Sequence, residues 1–375
     1  MSSLLSLILT IILLIPSLTE DADSYCPAPD PKSCLSGDNP LLVPKSFSPI
    51  NSNWHYSRST HFGITFGGAC GFGLYQACGN NIGLTGSNDI ICKQFCTNFP
   101  DLCYEPPNIS YRGNYAAPQG NYYTQHRKNL NDDEDNYLSC GECFEVIKTK
   151  NDGSDYDENE EGYTKPIILS IIDSCPCSAN PKWCCGSGQD ACDIDYFKYG
   201  CPIPEDSIHL DLSDVAMARL QTGKPDGAMN DGIVPMRYRR VPCPISGNMF
   251  ILLQNYGGPY WFALSVVNVN GYGAIAVVEA KNDNGEWVKL VRDPNYVEGH
   301  PQERYGMWSV GKDAGCAFNV PVSLRFTDGS GEILEVKDAI KTFDMSENAI
   351  DGMYNYIDLG TNFKGVDFDY EDTKM

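Results

Sequence analysis

The chain has 375 residues and a formal net charge of −22, from 49 acidic and 27 basic side chains. Its length allows two domains with full cores, since single cores usually stop growing at about 250–300 residues. The charge argues against nucleic acid and anionic membrane surfaces, which are held by Lys and Arg, and is compatible with a neutral partner such as a polysaccharide.

Residues 4–15 are an apolar run, followed by the small residues Ser17 and Thr19. The run is too short for a bilayer, which needs about 20 residues. It reads as the core of a signal peptide over residues 1–19, although no Lys or Arg precedes it. No later run approaches membrane length, so a secreted, soluble product is expected. The 17 cysteines agree with an oxidising compartment; fifteen lie between Cys26 and Cys201, and the others are Cys243 and Cys316. Zinc is the alternative reading for Cys140-Gly-Glu-Cys143, Cys175-Pro-Cys177 and Cys184-Cys185. Behind a signal peptide disulfides are the stronger expectation, and no metal or other cofactor is expected. The odd count leaves one thiol unpaired or intermolecular.

Residues 20–57 are a Pro- and Ser-rich extension, read as closed by a Cys26–Cys34 loop. Residues 58–242 form a cysteine-rich region with short β-like runs, Cys143–Ile147 and Ile167–Ile172, between long polar loops. Asn108-Ile109-Ser110 is a glycosylation sequon. Asp132–Asp135 and Asp152–Glu161 are acidic loops read as solvated surface. In Ser207-Ile-His-Leu-Asp-Leu-Ser213, period two sends Leu210 and Leu212 to one face and His209, Asp211 and Ser213 to the other. Three polar groups on one strand face suggest a cleft wall; an exposed face of an amphipathic strand is the alternative. Asp214–Leu220 predicts one short helix.

After Cys243 the texture changes. Phe250–Leu253, Trp261–Val267, Ala274–Glu279, Trp287–Val291 and Val322–Phe326 read as strands at hairpin spacing. Asn270-Gly271, Asn284-Gly285 and Asp328-Gly329 supply turns. This predicts an antiparallel β-sandwich over residues 243–341, with Trp287 in its core. Residues 342–375 read as an acidic, loosely ordered tail.

Seven segments occur in a telling order: Arg58-Ser-Thr-His-Phe-Gly63, Gly67-Gly-Ala-Cys-Gly-Phe-Gly73, Ser139-Cys-Gly-Glu-Cys-Phe-Glu-Val146, Ile171-Ile-Asp-Ser-Cys-Pro176, Trp183-Cys184, His209-Leu-Asp-Leu-Ser213 and Tyr238-Arg-Arg-Val-Pro-Cys243. Together they resemble the expansin family, over roughly residues 58–341. The resemblance implies an all-β chain: a six-stranded double-psi β-barrel (58–242), similar to that of family 45 glycoside hydrolases, then an immunoglobulin-like, cellulose-binding β-sandwich (243–341). It implies disulfides Cys70–Cys140 and Cys143–Cys243. Two inserts, residues 74–138 and 174–208, exceed the family pattern and carry further cysteines whose pairing spacing cannot give.

The resemblance also assigns a groove. Asp211 matches the acid of the related hydrolases, with Leu210 where the family has an aromatic. Asp173 matches a second acidic position, and Thr60 and His209 line the same groove. An inverting glycosidase needs an acid and a base about 6.5–9.5 Å apart. The hydrolases carry their base four residues after the threonine, and here that position is Ile64. Phe62 stands where the family often has tyrosine. Hydrolysis by the usual route is therefore not expected. Tyr260, Trp261 and Tyr296 match the aromatics that bind cellulose in similar sandwiches. Adjacent residues of a regular strand point oppositely, so Tyr260 and Trp261 can share a ligand only if the strand is bulged or just beginning, as Gly257-Gly-Pro259 allows. The implied function is a monomeric, secreted, non-hydrolytic protein of the extracellular matrix or cell wall that binds cellulose or a related β-glucan and loosens contacts between microfibrils. The alternatives are an endoglucanase whose base comes from an insert, such as Asp101 or an acidic-loop residue, and a matrix adhesin in which only the sandwich matters.

Overall fold

The computed structural model describes residues 54–63, 68–80, 90–103, 111, 113–118, 140–175, 184, 209–255, 257–282, 285–292, 306–310, 317–344, 354–366 and 368. The signal peptide, the Cys26–Cys34 loop, Ile64, Asn108 and Tyr296 lie outside them, as do Cys177, Cys185, Cys192, Cys201 and Cys316.

Six strands close a barrel: β1 (His55–Phe62), β2 (Tyr115–Pro118), β3 (Cys143–Lys148), β4 (Ile167–Ile171), β5 (Leu210–Ser213) and β6 (Val234–Val241), in the order β1-β5-β2-β4-β3-β6. The β1–β5 and β2–β4 pairs are parallel and the other four antiparallel. β4 is buried along its whole length, which explains its unbroken Ile-Ile-Leu-Ser-Ile sequence. Where β3 meets β6, the buried Glu145 lies opposite Arg239 and is paired with it at 2.6 Å. Helix α3 (Asp214–Thr222) leaves β5 without a loop.

The second unit is a two-sheet antiparallel sandwich. The five-stranded sheet runs β11 (Val291–Arg292), β12 (Met307–Ser309), β8 (Ala263–Val267), β7 (Phe250–Gln254), β15 (Tyr354–Asp358). The four-stranded sheet runs β10 (Val288–Lys289), β9 (Ile275–Asn282), β13 (Val322–Asp328), β14 (Ile333–Ile340). Between them lie Ile251, Leu253, Phe262, Leu264, Val278, Leu324 and Phe326, all essentially buried. The chain is thus all-β in its two main bodies, a closed barrel followed by an antiparallel sandwich.

Three expectations are corrected. The stretch read as a tail after residue 341 supplies β15, an edge strand paired with β7, and sends Leu359 and Phe363 into the sandwich core. Acidic composition hid a Tyr-Asn-Tyr-Ile run whose alternate faces both find apolar partners. The single strand read over 287–291 is two: β10 joins one sheet, β11 the other, and the chain changes layer at the buried Leu290, whose N–H donates to Val278 O. Trp287 is not core. It lies half-buried with Lys281 Nζ and the Arg325 guanidinium each 4.5 Å from its ring.

The stretch read as the first insert also supplies barrel strand β2, so only part of it is an insert; its described residues up to Cys103 are helical: α1 (Gly73–Asn80), α2 (Ile90–Asn98) and a short turn of 3-10 helix (Pro100–Cys103), stapled by Cys78–Cys92 and Cys96–Cys103. These helices fill the junction between barrel and sandwich. Phe95 and Phe99 pack edge-on or tilted against Tyr356 and Phe250 of the five-stranded sheet, and Leu74 N–H donates to Tyr356 Oη at 2.7 Å. One apolar cluster therefore runs from Ile171 and Leu212 of the barrel to Leu252 and Tyr354 of the sandwich. The backbones of Gly141 and Gly273 meet at the same junction; a Cβ on Gly141 would fall 2.2 Å from Gly273 O, and both have positive φ. The Cys143–Cys243 disulfide and the Arg240 guanidinium, which donates to Cys143 O at 2.9 Å and also to Tyr272 O, close the junction from the other side.

Candidate functional site

The β5–α3 corner builds the site. Leu210 and Leu212 are fully buried in the barrel, so Asp211 between them points the opposite way and stands half-buried. The other two polar residues of that face do not reach the surface. Ser213 ends the strand as the N-cap of α3, where its Oγ accepts from Ala216 N–H at 3.2 Å and donates to Gly113 O at 2.7 Å. His209 is fully buried. Of the three polar residues read as a cleft wall, only the Asp211 carboxylate is partly open to solvent.

Thr60 connects Asp211 to His209. The parallel register of β1 and β5 sets Thr60 opposite Asp211. Its hydroxyl donates to Asp211 Oδ1 at 2.6 Å and lies 3.0 Å from His209 Nε2. Burial lowers the His209 pKa to about 4 against a partial counter-effect from the Arg58 backbone, so the ring is neutral at physiological pH. The Asp211 carboxyl is pushed above the usual range, first by burial and then by the neighbouring Asp173 and Asp214; the Thr60 hydrogen bond and His61 oppose this. A carboxyl poised in this way can donate as well as accept hydrogen bonds.

Asp173 follows the fully buried Ile171 and Ile172 at the end of β4. Its Oδ1 accepts from Ala69 N–H at 2.7 Å and Ser174 N–H at 2.8 Å. Gly68 makes room for it: at φ +41° a Cβ there would lie 2.9 Å from the Asp173 carboxylate. The Cys175–Cys184 disulfide flanks the site, with Cys175 Sγ 3.7 Å from Asp211 Oδ2, a contact and not a hydrogen bond because that sulfur carries no proton. Asp101, the insert acid considered as a base, is at the domain junction instead, where its Oδ2 accepts from Asn248 N–H at 3.0 Å. The acids of the 152–161 loop serve local partners: Asp155 pairs with Arg237 and Glu160 with Lys150.

Sequence reading missed one pair. His61 Nδ1 and Asp214 Oδ1 are 2.8 Å apart, each side chain about one-third exposed or more. Only the β1–β5 register, which carries the chain from Ser213 straight into α3 beside Phe62, could have revealed it.

Residues 253–340 match the family model of the expansin C-terminal domain. The chain carries an expansin C-terminal domain. The resemblance extends to the barrel side: expansin-B11 of Oryza sativa subsp. japonica is 26% identical over 203 residues, covering 54% of this chain and 56% of that protein. Putative expansin-A26 of Arabidopsis thaliana is 29% identical over 141 residues, 36% of this chain and 46% of that protein. This expansin-like chain spans about half the length of the curated relatives it matches. Among solved structures, the apo expansin of Clavibacter michiganensis aligns over 84% of this chain and all of its own, at 16% identity and a TM-score of 0.45. A GH45 endoglucanase in complex with cellobiose aligns over 56% of this chain and 90% of its own, at 19% identity and 0.26.

Within the matched expansin domain, Tyr260 is 69% exposed, the most open aromatic side chain among the described residues. Trp261 is half-buried and packs against the sandwich core. The strand has not begun here: Gly258 N–H donates to Trp261 O and Trp261 N–H to Gly258 O, and β8 starts only at Ala263. Their orientation is set by this tight turn rather than by strand alternation. On the barrel side the cysteines pair as Cys70–Cys140 and Cys143–Cys243.

Proposed function

We propose that this is a secreted, monomeric, non-hydrolytic protein of the cell wall or extracellular matrix that binds cellulose or a related β-glucan and loosens contacts between its chains. The observation that carries the reading is Asp211: a half-buried carboxyl on a Thr60–His209 support, pushed upward in pKa, in a chain that also carries an expansin C-terminal domain. The groove then grips a glucan chain through hydroxyl hydrogen bonds from Asp211, Asp173 and Thr60. Tyr260, Trp261 and Tyr296 supply the aromatic faces that hold the polymer; such side chains bury roughly 150–250 Å² each. Sugar hydroxyls exchange interchain hydrogen bonds for bonds to the groove, and no glycosidic bond breaks.

Cleavage would need a base to activate water. Ile64, at the position where the related hydrolases carry their base, cannot take a proton, and Asp101 is engaged by the sandwich backbone. The test is adsorption to crystalline cellulose with a reducing-end assay on the same sample. Adsorption without sugar release supports the proposal. Sugar release by the wild type overturns it in favour of an endoglucanase, and failure to adsorb removes the cellulose-binding role.

A further inference from the structure

We infer that Tyr56 is an aromatic stacking platform for the glucan chain, on the same barrel face as Asp211; this rests on the groove reading above. The two faces of β1 are fixed at both of its ends. Near the start, His55 stacks on Tyr238 of the barrel core at 5.5 Å between ring centroids, and Ser57 and Ser59 are buried. Near the other end, Thr60 meets Asp211, which points away from the buried Leu210 and Leu212. Pairing passes from β6 to β5 at Ser59 with no shift of register, so period two puts Tyr56, Arg58 and Thr60 on one face. Tyr56 lies about 13 Å before Thr60 along the strand, at roughly 3.3 Å per residue.

The Tyr56 ring is both open and backed. Tyr56 is 49% exposed although it sits in a paired strand, and among the described residues no ring or cation stacks on it. Trp54, two positions earlier, instead carries the Arg237 and Arg239 guanidinium groups at 4.5 and 4.8 Å. The turn at Gly153 backs the ring: a Cβ there would lie 3.6 Å from Tyr56 Cε1. That turn is tied to the barrel by Asp155, which pairs at 2.8 Å with Arg237, the residue opposite Tyr56 on β6. Between Tyr56 and Thr60, Arg58 is buried and Pro235 opposite it is half-buried, so neither strand raises an open charged side chain in the path. Arg237 is matched by Asp155 and Arg239 by Glu145, so the basic groups beside the ring are already neutralised. A neutral ligand with a flat apolar face and hydroxyls at its edge fits this surface. The separation from Thr60 and Asp211 exceeds one sugar ring, so the ligand that meets both is a chain of linked units.

The test is titration of the full-length protein with cellohexaose, followed by calorimetry and by the NMR ring signals of Tyr56, with thermal unfolding of each variant. Saturating the wild type should shift the Tyr56 ring signals. Tyr56→Ala should weaken binding by roughly fivefold, the scale of one aromatic stacking contact, with little change in melting. Tyr56→Phe keeps the stacking face and should stay within about twofold of the wild type. If Tyr56→Ala does not fold, the wild-type ring signals decide alone. Ring signals unmoved at saturation, unchanged affinity in Tyr56→Ala, or equal loss in Tyr56→Phe and Tyr56→Ala overturns this inference and leaves the groove reading standing. Absence of wild-type binding overturns the groove reading, and this inference with it.

Discussion

Thr60 and Asp211 face each other across the parallel β1–β5 pair, joined by a 2.6 Å hydrogen bond from hydroxyl to carboxylate. The Thr60 hydroxyl also meets the buried His209 at 3.0 Å, so a single side chain couples the groove acid to the barrel interior.

Replacing Thr60 by valine keeps the shape and removes the hydroxyl. The Asp211 carboxyl then loses the hydrogen bond that holds its pKa down and should titrate at higher pH than in the wild type. Carboxyl-carbon NMR across a pH series would show this, and an unchanged or lower midpoint would contradict it. Stability should fall by about 1–3 kcal/mol, because His209 Nε2 loses a partner in a buried site.

His209 makes stability depend on pH with a defined sign. Its folded pKa, about 4, lies below the ordinary 6.5, so the folded state resists protonation. The stability it supports is present above pH 6.5 and is lost as pH falls toward 4, by roughly 3 kcal/mol for that shift. Asp211 titrates in the opposite sense, since its raised pKa favours the folded protonated form as pH falls. His209→Gln should flatten the loss between pH 6.5 and 4 in thermal melts. A wild-type melt that is level across this window would contradict the assignment.

The junction core predicts how the two bodies unfold. Phe95 is fully buried between helix α2 and the sandwich sheet. Phe95→Ala should cost about 3–5 kcal/mol. Because one apolar cluster spans barrel and sandwich, calorimetry of the wild type should show one cooperative transition. Two separated wild-type transitions, only one of them moved by Phe95→Ala, would contradict the shared core.

The exposed and half-buried aromatics of the sandwich should separate cleanly. Tyr260→Ala removes a mostly exposed ring, so it should weaken cellulose adsorption with little change in stability. Trp261→Ala should reduce both, because Trp261 packs on the core. Each lost stacking surface is worth at most roughly 1.5–3 kcal/mol. Adsorption isotherms and melts on the same preparations would decide it; full adsorption by the double variant would contradict the proposed binding face.

The β5–α3 corner was legible because local signals agree there: period-two alternation up to Ser213 and then the closely spaced apolar residues Val215, Met217, Ala218 and Leu220 of the helix. The β9–β10 and β13–β14 hairpins were legible from Asn284-Gly285 and Asp328-Gly329, whereas Asn270-Gly271 lies between β8 and β9, strands of different sheets. What escaped was decided by partners far away in sequence. Nothing local distinguishes β15 from a tail until Leu252 and Phe95 are placed beside Tyr356. The split of 287–291 depends on Leu290 crossing between layers, and Trp287 lies outward because Lys281 and Arg325 cover it. The His61–Asp214 pair needs the barrel's register before its members become neighbours.

The most direct test is the extension of cellulosic wall specimens or paper under constant load, with reducing ends measured in the same bath, for the wild type and Asp211→Asn. The amide keeps the volume of the side chain but neither ionises nor donates a carboxyl proton. The wild type should weaken the specimen without releasing sugar, and Asp211→Asn should adsorb normally yet lose the weakening. Sugar release by the wild type that disappears in Asp211→Asn, or weakening that persists in Asp211→Asn, would contradict the non-hydrolytic groove.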